Sequence, residues 1–292
     1  GKLELLSVSL EDSRQGLITH FLNLTKNTND NTSKDVLEIF ENNDYKKCES
    51  VICLADEAFG EGLGAYYLYI IDRFNLNLSH LTNEVYGEDN PRFKNLVRFN
   101  KEELKVLLSA LYMLPETAFS HIDYGYHAKK INHYKGSTVA NSTMSFFKLW
   151  ADQDDPNKIH TIIHELGHVL ASSLHKEMEG NTITRGIDGS ERWKALSGWS
   201  WEKGSLLSMY RRSTYDLSKT NFVSSYARSN AAEDFAESFA AYVLDPNKLK
   251  EIAPKKYSFL KNNVFTRVTY PGNTCRDEAL ASDNDIKDVV VD

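Results

Sequence analysis

His164, Glu165 and His168 stand together in the run His164-Glu165-Leu166-Gly167-His168. On a helix, four residues turn the chain by about 400°, so both imidazoles leave one face with their roots about 6 Å apart. At that spacing two ring nitrogens can meet one zinc ion at about 2.0–2.1 Å. Glu165 is turned about 100° from His164, beside the metal, where it can hold a metal-bound water without ligating the ion. The expected cofactor is Zn2+, and the expected chemistry is hydrolysis with Glu165 as general base.

Other histidines compete for the ion. His160 and His164 share the same spacing, but Thr161 follows His160 and cannot act as a base. His175 is roughly 16 Å beyond His164 at about 1.5 Å of rise per residue, too far to share an ion. A role behind the ligands stays open for both. The bland alternative is a solvated histidine face with no metal at all.

A catalytic zinc takes three protein ligands and keeps one position open. A third histidine six residues past His168, with a glycine between, is excluded because Leu174 and Ala171 hold those places. The other source is a carboxylate from a later helix, and the best candidate stretch is Ser225 to Phe239. Asn230 followed by Glu233 has the spacing of a helix start. Glu233 and Glu237 share a face bordered by Ala236 and Ala240, small enough for another helix to come close. On this pattern alone, Glu233 reads equally as a capping glutamate and Glu237 as a solvated one.

The element that carries the histidines is well specified. Asp155 can cap it, Pro156 suits its first turn, and it can run to about Leu174. Ile159, Ile162, Ile163, Leu166, Val169 and Leu170 form an apolar stripe at helical period, which leaves the histidines facing outward into a cleft. Gly167 costs about 1 kcal/mol of helix propensity, so close packing is expected there. Thr138, Val139, Thr143, Met144, Phe146 and Phe147 read as one or two strands ahead of that helix. An edge strand beside the site could pair with an extended peptide; an ordinary hairpin on the core fits as well.

Elsewhere, residues 1–46 read as short helical segments broken by a polar loop from Thr25 to Ser33. Apolar positions from Glu49 to Leu78 are helical, interrupted by glycines 60, 62 and 64. Leu81 to Arg92 reads as a connector. Asn100 and Glu103 form a capping box for a helix from Lys101 to Met113, ended by Pro115. Phe235, Phe239, Tyr242 and Val243 form the core stripe of the later helix, which Leu244-Asp245-Pro246 ends. The insert Lys176 to Val223, with Trp193, Trp199 and Trp201, either lines the cleft or is a surface excursion. Residues 271–292 read as a loosely attached acidic tail.

The succession of the His-Glu-Leu-Gly-His motif and Ser225-Tyr226-Ala227-Arg228-Ser229-Asn230-Ala231-Ala232-Glu233-Asp234-Phe235-Ala236-Glu237-Ser238-Phe239 resembles the gluzincin metallopeptidases. It is most similar to the branch holding the catalytic domain of anthrax lethal factor and the Pro-Pro endopeptidases. The resemblance covers about residues 158–245. It implies Glu233 as third zinc ligand, Glu237 as a support of the site behind the ligands, and Tyr226 as the oxyanion donor. Asp234, about 100° round the helix from Glu233, is an alternative acid, and Tyr210 and Tyr215 rival Tyr226. The resemblance also implies an α+β, zincin-like fold: a small, mostly antiparallel sheet with active-site helices, plus a helical N-terminal region. The expected divisions are 1–98 (helical), 99–270 (catalytic) and 271–292 (tail).

Composition sets the outer limits. The 292 residues are 41% hydrophobic and carry a formal charge of −7, which argues against nucleic acid or an anionic membrane as main partner. No apolar run approaches the ~18–20 residues of a membrane span. The given sequence opens on Gly1, which fits a removed leader or an added residue. Cys48 and Cys53 are near enough to pair, leaving Cys275 odd; a disulfide would favour a secreted or otherwise exported protein. The reading is a zinc endopeptidase acting on peptides or proteins. The alternative is a non-proteolytic, zinc-containing binding or effector protein on the same scaffold, which would need neither Glu165 nor Tyr226.

Overall fold

The computed structural model describes residues 51–74, 76–78, 96–115, 118–119, 126–140, 143–179, 187–202, 212–216, 218, 221–266 and 268. The readings of residues 1–46, the 81–92 connector, the 271–292 tail, Tyr210, Cys48 and Cys275 lie outside them. Cys53 is disulfide-bonded. Within the described residues, one compact unit takes 51–109 and 126–158, and a second takes 110–119 and 159–268.

In the first unit, helices α1 (Val51–Phe59) and α2 (Gly64–Phe74) are separated where Gly60 and Gly62 adopt φ of +113° and +71°. Those angles strain any residue with a side chain, so the glycines end one helix and allow the next to start. Helix α3 (Lys101–Tyr112) opens on the expected capping box: Glu103 N–H donates to Asn100 Oδ1 and Asn100 N–H to Glu103 Oε2, both at 2.9 Å.

Five strands form one sheet: β1 (Leu76–Leu78), β2 (Leu96–Val97), β3 (Tyr126–Ile131), β4 (Ser137–Ala140) and β5 (Thr143–Phe147). The order is β1-β3-β5-β4, with β2 also on β3. β1, β3 and β5 run parallel, while β2 and β4 are antiparallel to their neighbours. The central strands therefore depart from the mostly antiparallel sheet expected. The cause is that β5 inserts between β3 and β4, where alternation alone suggests a simple meander. The five-residue link 132–136 need span only two strand spacings, about 10 Å, which it reaches easily. Met144 and Phe146 are buried, and Trp150, on the short helix α4 (Lys148–Ala151), packs on Phe146 with ring centroids 4.5 Å apart.

Helix α5 (Asp155–Glu179) carries the histidine motif and runs into the second unit. Its cap is Asp154, not Asp155: Asn157 N–H donates to Asp154 Oδ1 at 3.0 Å, and the Asp154 carbonyl accepts the first helical bond from Lys158. The helix also runs five residues past Leu174, because neither a glycine nor a proline stops it before Glu179.

The second unit holds α6 (Glu191–Ser197), a two-stranded antiparallel ribbon of β6 (Ser200–Glu202) and β7 (Arg212–Thr214), and helices α7 (Ala231–Leu244), α8 (Pro246–Ile252) and α9 (Pro254–Asn263). α7 ends at Leu244, and Asp245 caps α8, accepting from Lys248 N–H at 3.2 Å. The apolar stripe of α5 and the stripe Phe235, Phe239, Tyr242 and Val243 of α7 are all buried. Among the described residues of the insert between the motifs, Ile187, Trp193 and Trp199 belong to the core. Trp193 is fully buried, packs edge-to-face on Phe235 at 5.0 Å and at a tilt on Phe259 at 5.3 Å between ring centroids, and donates its indole N–H to the Ala231 carbonyl at 3.1 Å.

Candidate metal centre

Two helices build the site. α5 presents His164 and His168 one turn apart. α7 is started by Asn230, whose Oδ1 accepts from the backbone N–H of Ala232 and Glu233 at 2.9 and 3.0 Å. With the cap supplied by Asn230, the Glu233 carboxylate is left to reach across: its Oε2 lies 3.1 Å from His164 Nε2 and 3.3 Å from His168 Nε2. Glu237, one turn further along α7, places Oε1 2.8 Å from His164 Nδ1. With Nε2 turned to a metal, Nδ1–H donates to that carboxylate, which fixes the tautomer and the ring orientation.

The expectation that the histidines face outward is corrected. His164 and Glu165 are both buried, at 6% exposure, and His168 is half-buried, because α7 covers that face of α5. Gly167 makes the approach possible. A Cβ there would sit 3.3 Å from the Ala236 Cα and 3.3 Å from the Phe239 side chain, so the helices meet nearly backbone to backbone. Gly167→Val should therefore destabilise the fold by about 1–3 kcal/mol through overpacking and weaken zinc binding as Glu233 is pushed away. Thermal unfolding with and without zinc measures both effects.

His160, half-exposed, has its Nε2 3.8 Å from Glu237 Oε1, behind the ligand set. Tyr226 lies on a single 3₁₀ turn, Tyr226–Arg228, with its ring centroid 5.8 Å from that of His164 and 54% of its surface exposed. Burial, then the charges of Glu233 and Glu165, push its pKa up, so it stays a proton donor at neutral pH. Its rival Tyr215 packs instead against Trp199 and Phe222, at 5.3 and 4.9 Å. Asp234 is fully buried on another side of α7, where its carboxylate takes Lys256 Nζ at 2.6 Å, the Trp199 indole N–H at 2.9 Å and the Ser197 hydroxyl at 3.2 Å. It does not join the histidines.

His164 Nε2, His168 Nε2 and Glu233 form a group whose ligand atoms all lie within 4.8 Å of one another, with no second such group among the described residues. Tetrahedral bonds of about 2.0–2.1 Å place ligand atoms about 3.3 Å apart. The 3.1 and 3.3 Å separations from Glu233 fit that geometry, and two imidazoles with one carboxylate suit zinc.

Without metal the same groups share protons. Burial pulls the His164 imidazolium down, but bonds to Glu233 and Glu237 outweigh it and raise its pKa to about 9. Burial pushes Glu233 up, but its bonds to His164 and His168 win and hold it at about 2. The His164 contribution to stability is thus complete below its ordinary 6.5 and lost as pH rises through 9. The Glu233 contribution is present above its ordinary 4.5 and lost as pH falls through 2. Zinc-free protein should unfold at its highest temperature between about pH 4.5 and 6.5 and lose stability towards pH 9. Zinc should remove the alkaline loss, since bound imidazole carries no Nε2 proton. Calorimetry across pH, with and without chelator, reads this directly.

The arrangement brings together, from two helices, three side chains that could hold a metal ion. Residues 123–263 match the profile of the family described as "Putative zinc-binding metallo-peptidase". The match supports a zinc metallopeptidase, with Zn2+ as its metal and a peptide or protein as its substrate. No curated protein matches the chain. Among the described residues no helix is long and apolar enough to cross a membrane.

Sequence reasoning missed Ser224 and Lys256. Ser224 donates to Glu237 Oε2 at 2.5 Å and accepts the Ala227 N–H at 3.1 Å. Lys256 neutralises Asp234 from α9. Neither belongs to a periodic pattern, and only the juxtaposition of separate segments reveals their partners.

Proposed function

We propose that this protein is a zinc-dependent endopeptidase of gluzincin type, with residues 99–270 as its catalytic region. The observation that carries the reading is the convergence of Glu233 Oε2 on the Nε2 atoms of His164 and His168, beside the buried Glu165. When bound, zinc supplies a Lewis acid that polarises a peptide carbonyl and lowers the pKa of a water in its open position towards ~7.

The chain's own residues do the rest. Glu165 takes the proton of the attacking water and passes it to the leaving amine. Tyr226, exposed enough for a substrate to reach and kept protonated, donates to the developing oxyanion; one such donor contributes about 3–4 kcal/mol. Glu237 holds the His164 ring by accepting from Nδ1. An exported location is part of the proposal, supported by the disulfide at Cys53.

The test is zinc content measured alongside cleavage of an unbiased peptide library. One zinc per chain with cleavage inside peptides supports the reading and reveals the preferred residues. One zinc with no cleavage moves the weight to a binding or effector role. No zinc removes the first step of the argument.

A further inference from the structure

We infer that Ser224 is a positioning residue that ties the turn bearing Tyr226 to the support of the metal ligand His164. The inference rests on the peptidase reading for its catalytic half and on geometry alone for its metal half.

A serine hydroxyl has one proton to give and lone pairs to accept with. Ser224 gives its proton to Glu237 Oε2 at 2.5 Å and accepts the Ala227 N–H at 3.1 Å. The second bond closes a ring around Ser225 and Tyr226 and holds the 3₁₀ turn Tyr226–Arg228 at its first free amide. The first bond holds one oxygen of Glu237, leaving the other, Oε1, to meet His164 Nδ1 at 2.8 Å. One hydroxyl thus joins the proposed oxyanion donor to the carboxylate that orients a metal-binding imidazole.

Without the Ser224 hydroxyl, Glu237 is free to turn about its last torsion, His164 loses its fixed orientation, and the Tyr226 turn loses its brace.

The experiment measures zinc affinity of the full-length protein by chelator competition for wild type, Ser224→Ala, Ser224→Thr, Glu237→Gln and the Ser224→Ala/Glu237→Gln double variant. Loss of a partner behind a metal ligand weakens binding about 10–100-fold. Ser224→Ala should sit near the low end, about tenfold, and Ser224→Thr, which keeps the hydroxyl, should stay within about twofold of wild type. In the Glu237→Gln background, Ser224→Ala should add nothing, because its route to the metal is already cut. At saturating zinc, Ser224→Ala should still cleave the peptide library more slowly, and Ser224→Thr should restore the rate.

Wild-type zinc affinity in Ser224→Ala, an undiminished effect in the Glu237→Gln background, or failure of threonine to rescue would each overturn the inference. A wild type that binds zinc but cleaves no peptide refutes the peptidase reading instead, and the zinc cycle still decides the role of Ser224.

Discussion

Glu165→Gln should hold one zinc per chain and cleave peptides about 10²–10⁴-fold more slowly than wild type, the range for loss of a positioned general base. Glutamine keeps the volume of the buried side chain and leaves His164, His168 and Glu233 untouched, so neither folding nor metal binding has reason to change. It replaces the carboxylate that accepts a proton from water with an amide that cannot, and takes away one negative charge near His164 and Tyr226. Metal analysis and library cleavage on the same preparation separate the two properties. Unchanged cleavage would sink the assignment of Glu165, and loss of zinc would show that the residue helps to hold the ion.

Asp234→Asn should fail in the opposite manner. Asp234 and Lys256 are both fully buried, and the ion pair between them is 2.6 Å long. Burial pushes the Asp234 pKa up and the Lys256 pKa down, against the pull of each partner on the other. Both charges are therefore tolerated only together. Neutralising the aspartate leaves a buried ammonium with nothing to balance it, a loss of about 3–5 kcal/mol. In a protein of this size that lowers the unfolding temperature by roughly 10 °C or more.

Adding Lys256→Met should recover most of the loss, since an apolar side chain of similar length removes the orphaned charge. The neighbouring change, Glu233→Gln, should leave a folded protein with little affinity for zinc. Thermal melts and zinc titrations of the three variants would distinguish an acid that holds the helix from one that holds the metal. A melt of Asp234→Asn within a degree or two of wild type would refute the structural role.

Adjacent residues thus take opposite roles, and the sequence shows why one was easier to read. The His164–His168 spacing lies within one helix and follows from helical geometry alone, as do the Asn230 cap and the buried stripes of α5 and α7. Glu233 and Glu237 matter only because α7 covers α5, and the pattern of α7 by itself allows both to be solvated. The same contact buries the face of α5 that its own amphipathic pattern assigns to a cleft. Lys256 comes from a third helix, and Ser224 from a loop without period, so neither leaves a local trace. The parallel centre of the sheet was hidden for a related reason: strand identity lies in the residues, but strand order lies in which strand inserts between two others.

The near-contact of α5 and α7 at Gly167 also limits which side chains could serve at position 233. With no side chain at 167, the Ala236 Cα stands only 3.3 Å from where a Cβ would be, so the two helices lie at close range. The gap that Glu233 bridges is thus set largely by the main chain. An aspartate there would fall short by one carbon–carbon bond, about 1.5 Å, against a tolerance of about 0.2 Å in a zinc–ligand distance. Of the two acids, only the longer fits the slot.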